Sequence, residues 1–361
     1  MKAIVLLVLS LPAFGAWGNG YNFRRTITID HTKVPNTDQT NFPVLISGTY
    51  TFLKTTGAGG DVQNANGFDV IFTSDSAGST KLNWETVSYA GPTGVVEYWV
   101  KVGTVSHTSD TVFYLFYGNA AVSTDQSNRT ASWDANTQGV YHLPDGTTLT
   151  MNDSTANARN GSGSTSPAAI AGQVDGGADN GSSNRILCGA NGNFDFGNNG
   201  SFTLSLWVKT TQTGTKVAVG NIGTSNYWLG ISSGKASMNA GNAATESSAT
   251  VSDGSWHLLS GVHDGPGQLT KVYVDGVERA SAPTTANGDT GSQLALGAFG
   301  TSAGFNWVGQ YDEGHISNAV RSADWLRSEF NNQSNPATFY AVGSAATNGS
   351  SAAVRHRVVT Q

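Results

Sequence analysis

Residues 253–280, DGSWHLLSGVHDGPGQLTKVYVDGVERA, restrict the fold more than any other stretch. Leu269, Lys271 and Tyr273 alternate with Thr270, Val272 and Val274, and a period of two gives a strand with two different faces. Residues 256–262 read as a strand before it, and 277–280 begin another after it. The last two are joined by Asp275-Gly276. Both central positions of a type I′ turn take positive φ, which Asp tolerates and Gly adopts freely. The stretch is therefore a three-stranded meander. Its apolar face needs a second sheet, and the rest of the C-terminal half is expected to supply it.

The chain has 361 residues, enough for two domains of ordinary size. Gly is 45 of them, above the usual share of about 7%. With Trp 9, Tyr 11 and Phe 15, the chain has the aromatic side chains a core needs and is not of disordered type. The net charge of -6, without basic blocks, argues against nucleic acid as a partner. Arg355 and Arg357 form a short basic tail that reads as a solvated end. Lys2, the apolar run 3–11 and the small-x-small site Ala13-Phe14-Gly15 read as a signal peptide over 1–15. That run falls well short of the about 20 residues of a membrane span, and no later stretch approaches that length. The single cysteine, Cys188, excludes an internal disulfide and a multi-cysteine metal site, and reads as a small buried side chain.

Six short strands follow the signal segment, near 23–29, 42–46, 68–73, 83–89, 95–102 and 111–117, separated by Gly, Ser and Asp turns. They predict a β-sandwich over 21–118. The series YNFRRTITID, NFPVLISG, GFDVIFTSDSAGSTKLNWE, VEYWVKV and VFYLFYGNA resembles the DUF2341 family, a domain without an assigned activity. The resemblance implies an exported or surface protein in which a lectin-like sandwich comes next. Residues 119–138 are polar and read as a linker or as a strap packed on the first domain through Trp133.

A second sandwich is expected over 139–340. Phe202, Leu204, Leu206 and Val208 alternate with Thr203, Ser205, Trp207 and Lys209, and Trp207 suggests that the second face is not fully wet. The segments VYHL at 140–143, DST at 153–155, SFTLSLWV at 201–208, GSWH at 254–257, VYVDG at 272–276 and YDEGHISN at 311–318 resemble the laminin-G-like, concanavalin A-like jelly-roll superfamily. Members commonly carry Val-Arg where this chain has Gly314-His315, and a glycine there is expected to loosen the strand. A short helix follows, with Ser322 as N-cap, Asp324 in its first turn and Asn331-Asn332 as its stop. Residues 341–361 read as a loose tail.

Three chemistries suit these residues. Asp153 and Asn157, with Asn160 in the same loop and Asp312 and Glu313 on the closing strand, are candidate ligands for Ca2+, which takes six to eight hard oxygens. The jelly-roll resemblance implies such a site, with acids from an early loop and a late strand. Neighbours on a strand face opposite ways, so Asp312 and Glu313 ligate together only if the strand bulges. Otherwise Asp153 caps a turn and Glu313 pairs with Arg321 or His315. Second, Tyr227, Trp228, Phe305 and Trp307 are candidate sugar-stacking residues, and each is equally a candidate core residue. Third, hydrolysis needs two carboxylates on one face. No strand carries acids two residues apart, Glu97 and Glu278 stand alone, and no nucleophile or zinc-protease motif is present. His257, His263 and His315 are too scattered in sequence to suggest a metal cluster.

The expectation is an all-β chain: two β-sandwich domains, the second a concanavalin A-like jelly roll, with one short C-terminal helix. Its expected role is non-catalytic recognition or adhesion, secreted or at the cell surface, with glycans or glycoproteins as partners. The alternatives are a self-associating assembly or spacer module of a surface layer, filament or virus-like particle, and a glycan-processing accessory or hydrolase domain.

Overall fold

The computed structural model describes residues 17–144, 148–163, 167–181, 183–197, 199–221, 226–241, 244–284, 292–299 and 304–349. The signal-peptide assignment and the basic residues Arg355 and Arg357 lie outside them.

The first sandwich pairs a sheet of Tyr340–Val342, Phe23–Ile29, Thr111–Tyr117 and Val70–Thr73 with a sheet of Gln39–Thr49, Val95–Val105 and Asn83–Ala90. Val44, Ile46, Val96, Tyr98 and Val100 meet Ile27, Phe72, Phe113 and Leu115 in its core. The alternate residues Leu45 and Trp99 are also buried, in a separate cluster with Trp133 and Val140. The strand Val95–Val105 is thus covered on both faces, which explains its unbroken run VVEYWV.

The tail does not begin where the sequence suggests. Tyr340–Val342 and Ala346–Thr347 both pair with Phe23–Ile29. Phe339 and Tyr340 are part of the first core. The polar composition after residue 341 hides this, because a strand added to a preformed edge gains its stability from main-chain bonds. Residues 340–347 therefore return to the first sandwich after the second has been built.

The second sandwich stacks an eight-stranded sheet on a seven-stranded one. Val277–Pro283, Leu269–Val274, His257–Asp264, Phe202–Lys209, Gly309–Ser317, Gly176–Asn180 and Ala168–Ala171 run in that order, and Thr137–Tyr141 also pairs with Gly309–Ser317. The meander stands as read, with Asp275 at φ 53° and Gly276 at φ 69°. Leu204, Leu206, Val272 and Val274 pack onto Leu229, Ile231 and Leu296 of the other sheet. Gly309–Ser317 is continuous through Gly314, and Leu206 and Leu296 fill the space a Cβ would enter, but the register with Phe202–Lys209 breaks at Glu313 and Gly314.

Two helices follow where one was expected, Ala323–Ser334 and Pro336–Phe339. The Ser322 side chain caps the first through Trp325 N–H. Asn331-Asn332 does not stop it. An Asn opposes a helix when its side chain competes for nearby backbone, but Asn332 is committed to the first sandwich, accepting from Leu45 N–H at 2.7 Å and donating to Leu45 O at 3.0 Å. Among the described residues no helix is long and apolar enough to cross a membrane.

Candidate functional site

The four aromatic candidates separate. Tyr227 and Trp307 are core residues of the jelly roll, 1% and 0% exposed, and a ring in that position cannot stack on a sugar. The Tyr227 hydroxyl donates to Phe194 O at 2.6 Å. Strand alternation turns Trp228 the other way, into a small cluster with Val217 and Phe299. Phe305 is 42% exposed and meets Phe299 edge-on at 6.1 Å.

The calcium candidates do not converge. Asp153 is buried, and its oxygens accept from Val140 N–H, Thr155 N–H, the Thr155 hydroxyl and Arg159 N–H. It is a turn cap. Asn157 is exposed and donates to Gln138 O. Asp312 accepts from Gln173 and Val174 N–H through one oxygen, while Glu313 faces two imidazoles. Three carboxylates, each occupied by its own donors, and an exposed amide that points at Gln138 do not make the six to eight oxygens calcium takes, so this donor set does not fit the ion.

The strand does bulge, however. Trp207 pairs with Asp312 and Ser205 with His315, so Glu313 and Gly314 together oppose Leu206. Glu313 is the residue at positive φ, 50°. Tyr311 and Ile316 face the core, and Gly314 lies against Leu206 and Leu296. The extra residue re-phases the strand, so that Glu313 and His315 reach the side on which the helix and the first sandwich sit.

There the two sandwiches meet around a buried polar centre. His142 Nδ1 is 2.9 Å from both Glu313 oxygens, and His315 Nε2 is 2.9 Å from Glu313 Oε2. The far nitrogens also meet carboxylates: His142 Nε2 lies 3.3 Å from Glu85 of the first sandwich, and His315 Nδ1 lies 3.0 Å from Glu329 of the helix. Glu85 further accepts from Ser154 and from Trp133 Nε1. The rings of Trp99 and Trp133 flank both imidazoles at 5.4–5.6 Å between centroids. Burial alone would depress both histidines. The Glu313 and Glu85 carboxylates outweigh it at His142 and hold it well above the ordinary imidazole range. His315 is raised to about 9 against burial by its bonds to Glu313 and Glu329. Burial works the other way on Glu313, yet His142 and His315 hold it low. Glu97, by contrast, is pushed well up by burial and then by the Glu313 charge. The histidines that looked scattered are therefore partly gathered: His315 joins His142, whereas His257 sits on Asp275 and Asp253 at the turn. The available signal was the departure at Gly314-His315, which places an imidazole where the resembling family has another side chain.

A solvent-open recess lies elsewhere on the jelly roll, among the loops that carry Arg159, Asn193, Ser201 and Asn318. Its volume is about 290 Å³, and Gln138, Arg159, Asn193, Asp195, Phe196 and Asn318 line it with Gly200 and Ser201. Phe196 is half-buried, with its ring stacked on Phe202 at 4.9 Å. The Arg159 guanidinium lies 4.7 Å over the Phe194 ring and donates to the backbone and side-chain oxygens of Gln138. A supported aromatic edge among fixed polar groups suits a polyhydroxylated ligand. The sequence alone does not single out this recess, because the residues that line it, from Gln138 to Asn318, are distant in sequence.

Comparison with known proteins adds one family. Residues 180–327 match the family model of the concanavalin A-like lectin/glucanases superfamily. No curated protein matches the sequence. Among solved structures, the binding domain of Paraclostridial Mosquitocidal Protein 1 is similar at 15% identity and TM-score 0.45, over 54% of this chain and 52% of that one. Domain 4 of AbnA, a GH43 extracellular arabinanase from Geobacillus stearothermophilus in complex with arabinotriose, gives 20% identity and TM-score 0.44 over 55% and 100%. The binding domain of Botulinum Neurotoxin serotype G gives 12% and 0.42 over 54% and 50%. The chain spans about half the length of the first and third of these. Two stacked antiparallel sheets and the matched family together identify the second sandwich as a concanavalin A-like jelly roll.

Proposed function

We propose that the chain is a non-catalytic glycan-recognition protein acting outside the cytoplasm, and that the jelly roll holds the ligand in the recess around Phe196. The observation that carries this reading is the composition of the recess: one half-buried aromatic ring, with Arg159, Asn193, Asp195 and Asn318 around it. Apolar sugar faces stack on aromatic rings, and flanking polar groups select the hydroxyls. The family of the jelly roll, which groups lectins with glucanases, supports the same ligand class. Asp195 is the one carboxylate among the residues lining the recess, whereas glycoside hydrolysis uses a pair. Export follows from the resemblance of the first domain and from the signal-like segment 1–15.

A glycan array with the mature chain tests the ligand class, and calorimetric titration of the best binder tests the place. Phe196→Ala and Asp195→Ala should each weaken binding, the first by about 2 kcal/mol or roughly thirtyfold, while the melting temperature shows whether the core below Phe196 has held. Phe305→Ala should leave affinity unchanged. Loss of binding in Phe305→Ala alone would transfer the site to the patch over Phe299 and Trp228. Release of reducing ends from a bound polysaccharide, abolished in Asp195→Asn, would overturn the non-catalytic reading.

A further inference from the structure

We propose that His142 Nδ1, His315 Nε2 and the Glu313 carboxylate form a binding site for a divalent transition-metal ion of the zinc class at the junction of the two sandwiches. The donor atoms of these three residues all lie within 4.8 Å of one another. Two imidazoles and one carboxylate are a donor set that zinc takes readily, with bonds of about 2.0–2.2 Å and a tetrahedral arrangement. Donors at such distances stand about 3.3 Å apart, so the observed contacts of 2.9 Å to Glu313 need to open by only a few tenths of an ångström.

The surroundings carry the inference further than the triad alone. A metal-bound imidazole characteristically gives its other nitrogen to a carboxylate, which fixes tautomer and ring plane. Both rings do so here, His142 on Glu85 and His315 on Glu329. Three carboxylates, Glu85, Glu313 and Glu329, thereby surround two imidazoles, an excess of anionic groups suited to a dication. The donors are rigid: His142 directly follows the strand Thr137–Tyr141, which pairs with the strand of Glu313 and His315 through Tyr141↔Gly314 and Val140↔His315. Glu313 is held at φ 50°, a left-handed conformation that a non-glycine residue keeps only where the surrounding structure fixes it. Each imidazole also borders a space on its side away from Glu313, and Glu313 lines neither. A recess of about 160 Å³ has Glu85, Arg129, His142 and Ser154 in its wall. On the other side, a cavity of about 30 Å³ bordered by His315, Ser205 and Glu329 has room for a water. Because Glu85 belongs to the first sandwich and the three ligands to the second, the ion would also tie the domains together.

The test uses the full mature chain without an affinity tag. After EDTA treatment and dialysis against zinc chloride, elemental analysis should find one zinc per chain, and X-ray absorption should show two imidazoles and carboxylate oxygen around it. This measurement needs no variant. His142→Ala and His315→Ala should each lower zinc affinity at least a hundredfold, and Glu329→Gln, which touches the metal only through His315, by roughly ten- to a hundredfold. His31→Ala, in an exposed cluster with Asp30 and Asp110, should change nothing. Failure to retain zinc, or retention without imidazole in the absorption spectrum, would overturn the proposal. Neither result would bear on glycan binding in the separate recess.

Discussion

Arg321 and Asp134 form a bidentate ion pair, two parallel bonds of 2.7 Å between the end of the jelly-roll sheet and the strap. Burial would raise the Asp134 carboxyl, but the Arg321 guanidinium overrides it and holds it below the ordinary range. A depressed folded pKa contributes stability that is present above the unfolded value, about 3.9, and is lost as pH falls through the folded one. Asp134→Asn should therefore cost about 2 kcal/mol at neutral pH, and the gap from wild type in urea titrations should close on acidification below about pH 4. A gap independent of pH would show that packing, not charge, connects the strap. Asn332 makes a second such link through both polar groups of Leu45. Asn332→Ala leaves a buried N–H and C=O without partners, and we expect a loss of about 3 kcal/mol in the same assay. At this scale little was legible beforehand. The pairing of Glu313 with His315 was one of two options open in the sequence, and His142, Glu85 and Glu329 gave no signal, because their partners lie 14 to 171 positions away in the chain.

Elements were easier to read. The meander, the alternating strand Phe202–Lys209 and the Ser322 cap were visible because each rests on local rules: a period of two, a turn with positive φ, and a hydroxyl ahead of a helix. Gly276 has a second reason to be glycine. A Cβ there would lie 2.8 Å from Arg327 Cα and 3.0 Å from Leu326 O of the helix docked over the turn. Gly276→Ala thus adds a steric clash to unfavourable φ, and about 2 kcal/mol should be lost on denaturation; a neutral result would mean that the helix yields. What could not be read is the protection of the edge strand Gln39–Thr49. An edge invites pairing with another chain. Here Asn332 occupies the outward groups of Leu45, and the Tyr340 hydroxyl bonds to Ser47 N and Ser47 O. Polar side chains from the far end of the sequence stand where a further strand would pair.

Taken whole, the described residues form two sandwiches joined by the Arg321–Asp134 pair, the buried histidine–carboxylate centre, the helix with its Asn332 clip and the returning strands at 340–347. This changes the outlook for the isolated fragment 139–340, which the motif series alone would treat as self-sufficient. Cut free, it would strip the partner carboxylate Glu85 from His142, remove the Trp99 and Trp133 rings that flank His142 and His315, and leave Asn332 without Leu45. Conversely, a chain ending at Asn335 loses Phe339 and Tyr340 from the first core. Removing large aromatic side chains from a core costs about 3–5 kcal/mol each, so calorimetry should show the first sandwich melting at least 10 °C lower, by an approximate conversion of about 4 °C or more per kcal/mol. An unchanged melting profile would deny the returning strands their role.

The most direct test of glycan recognition is a crystal of the full chain soaked with the strongest binder from the array. The account predicts a sugar ring stacked on Phe196, with hydroxyls on Arg159, Asn193 or Asp195 and the histidine–carboxylate centre undisturbed. Ordered sugar on the Phe305 patch, against the first sandwich, or nowhere on the jelly roll would contradict it.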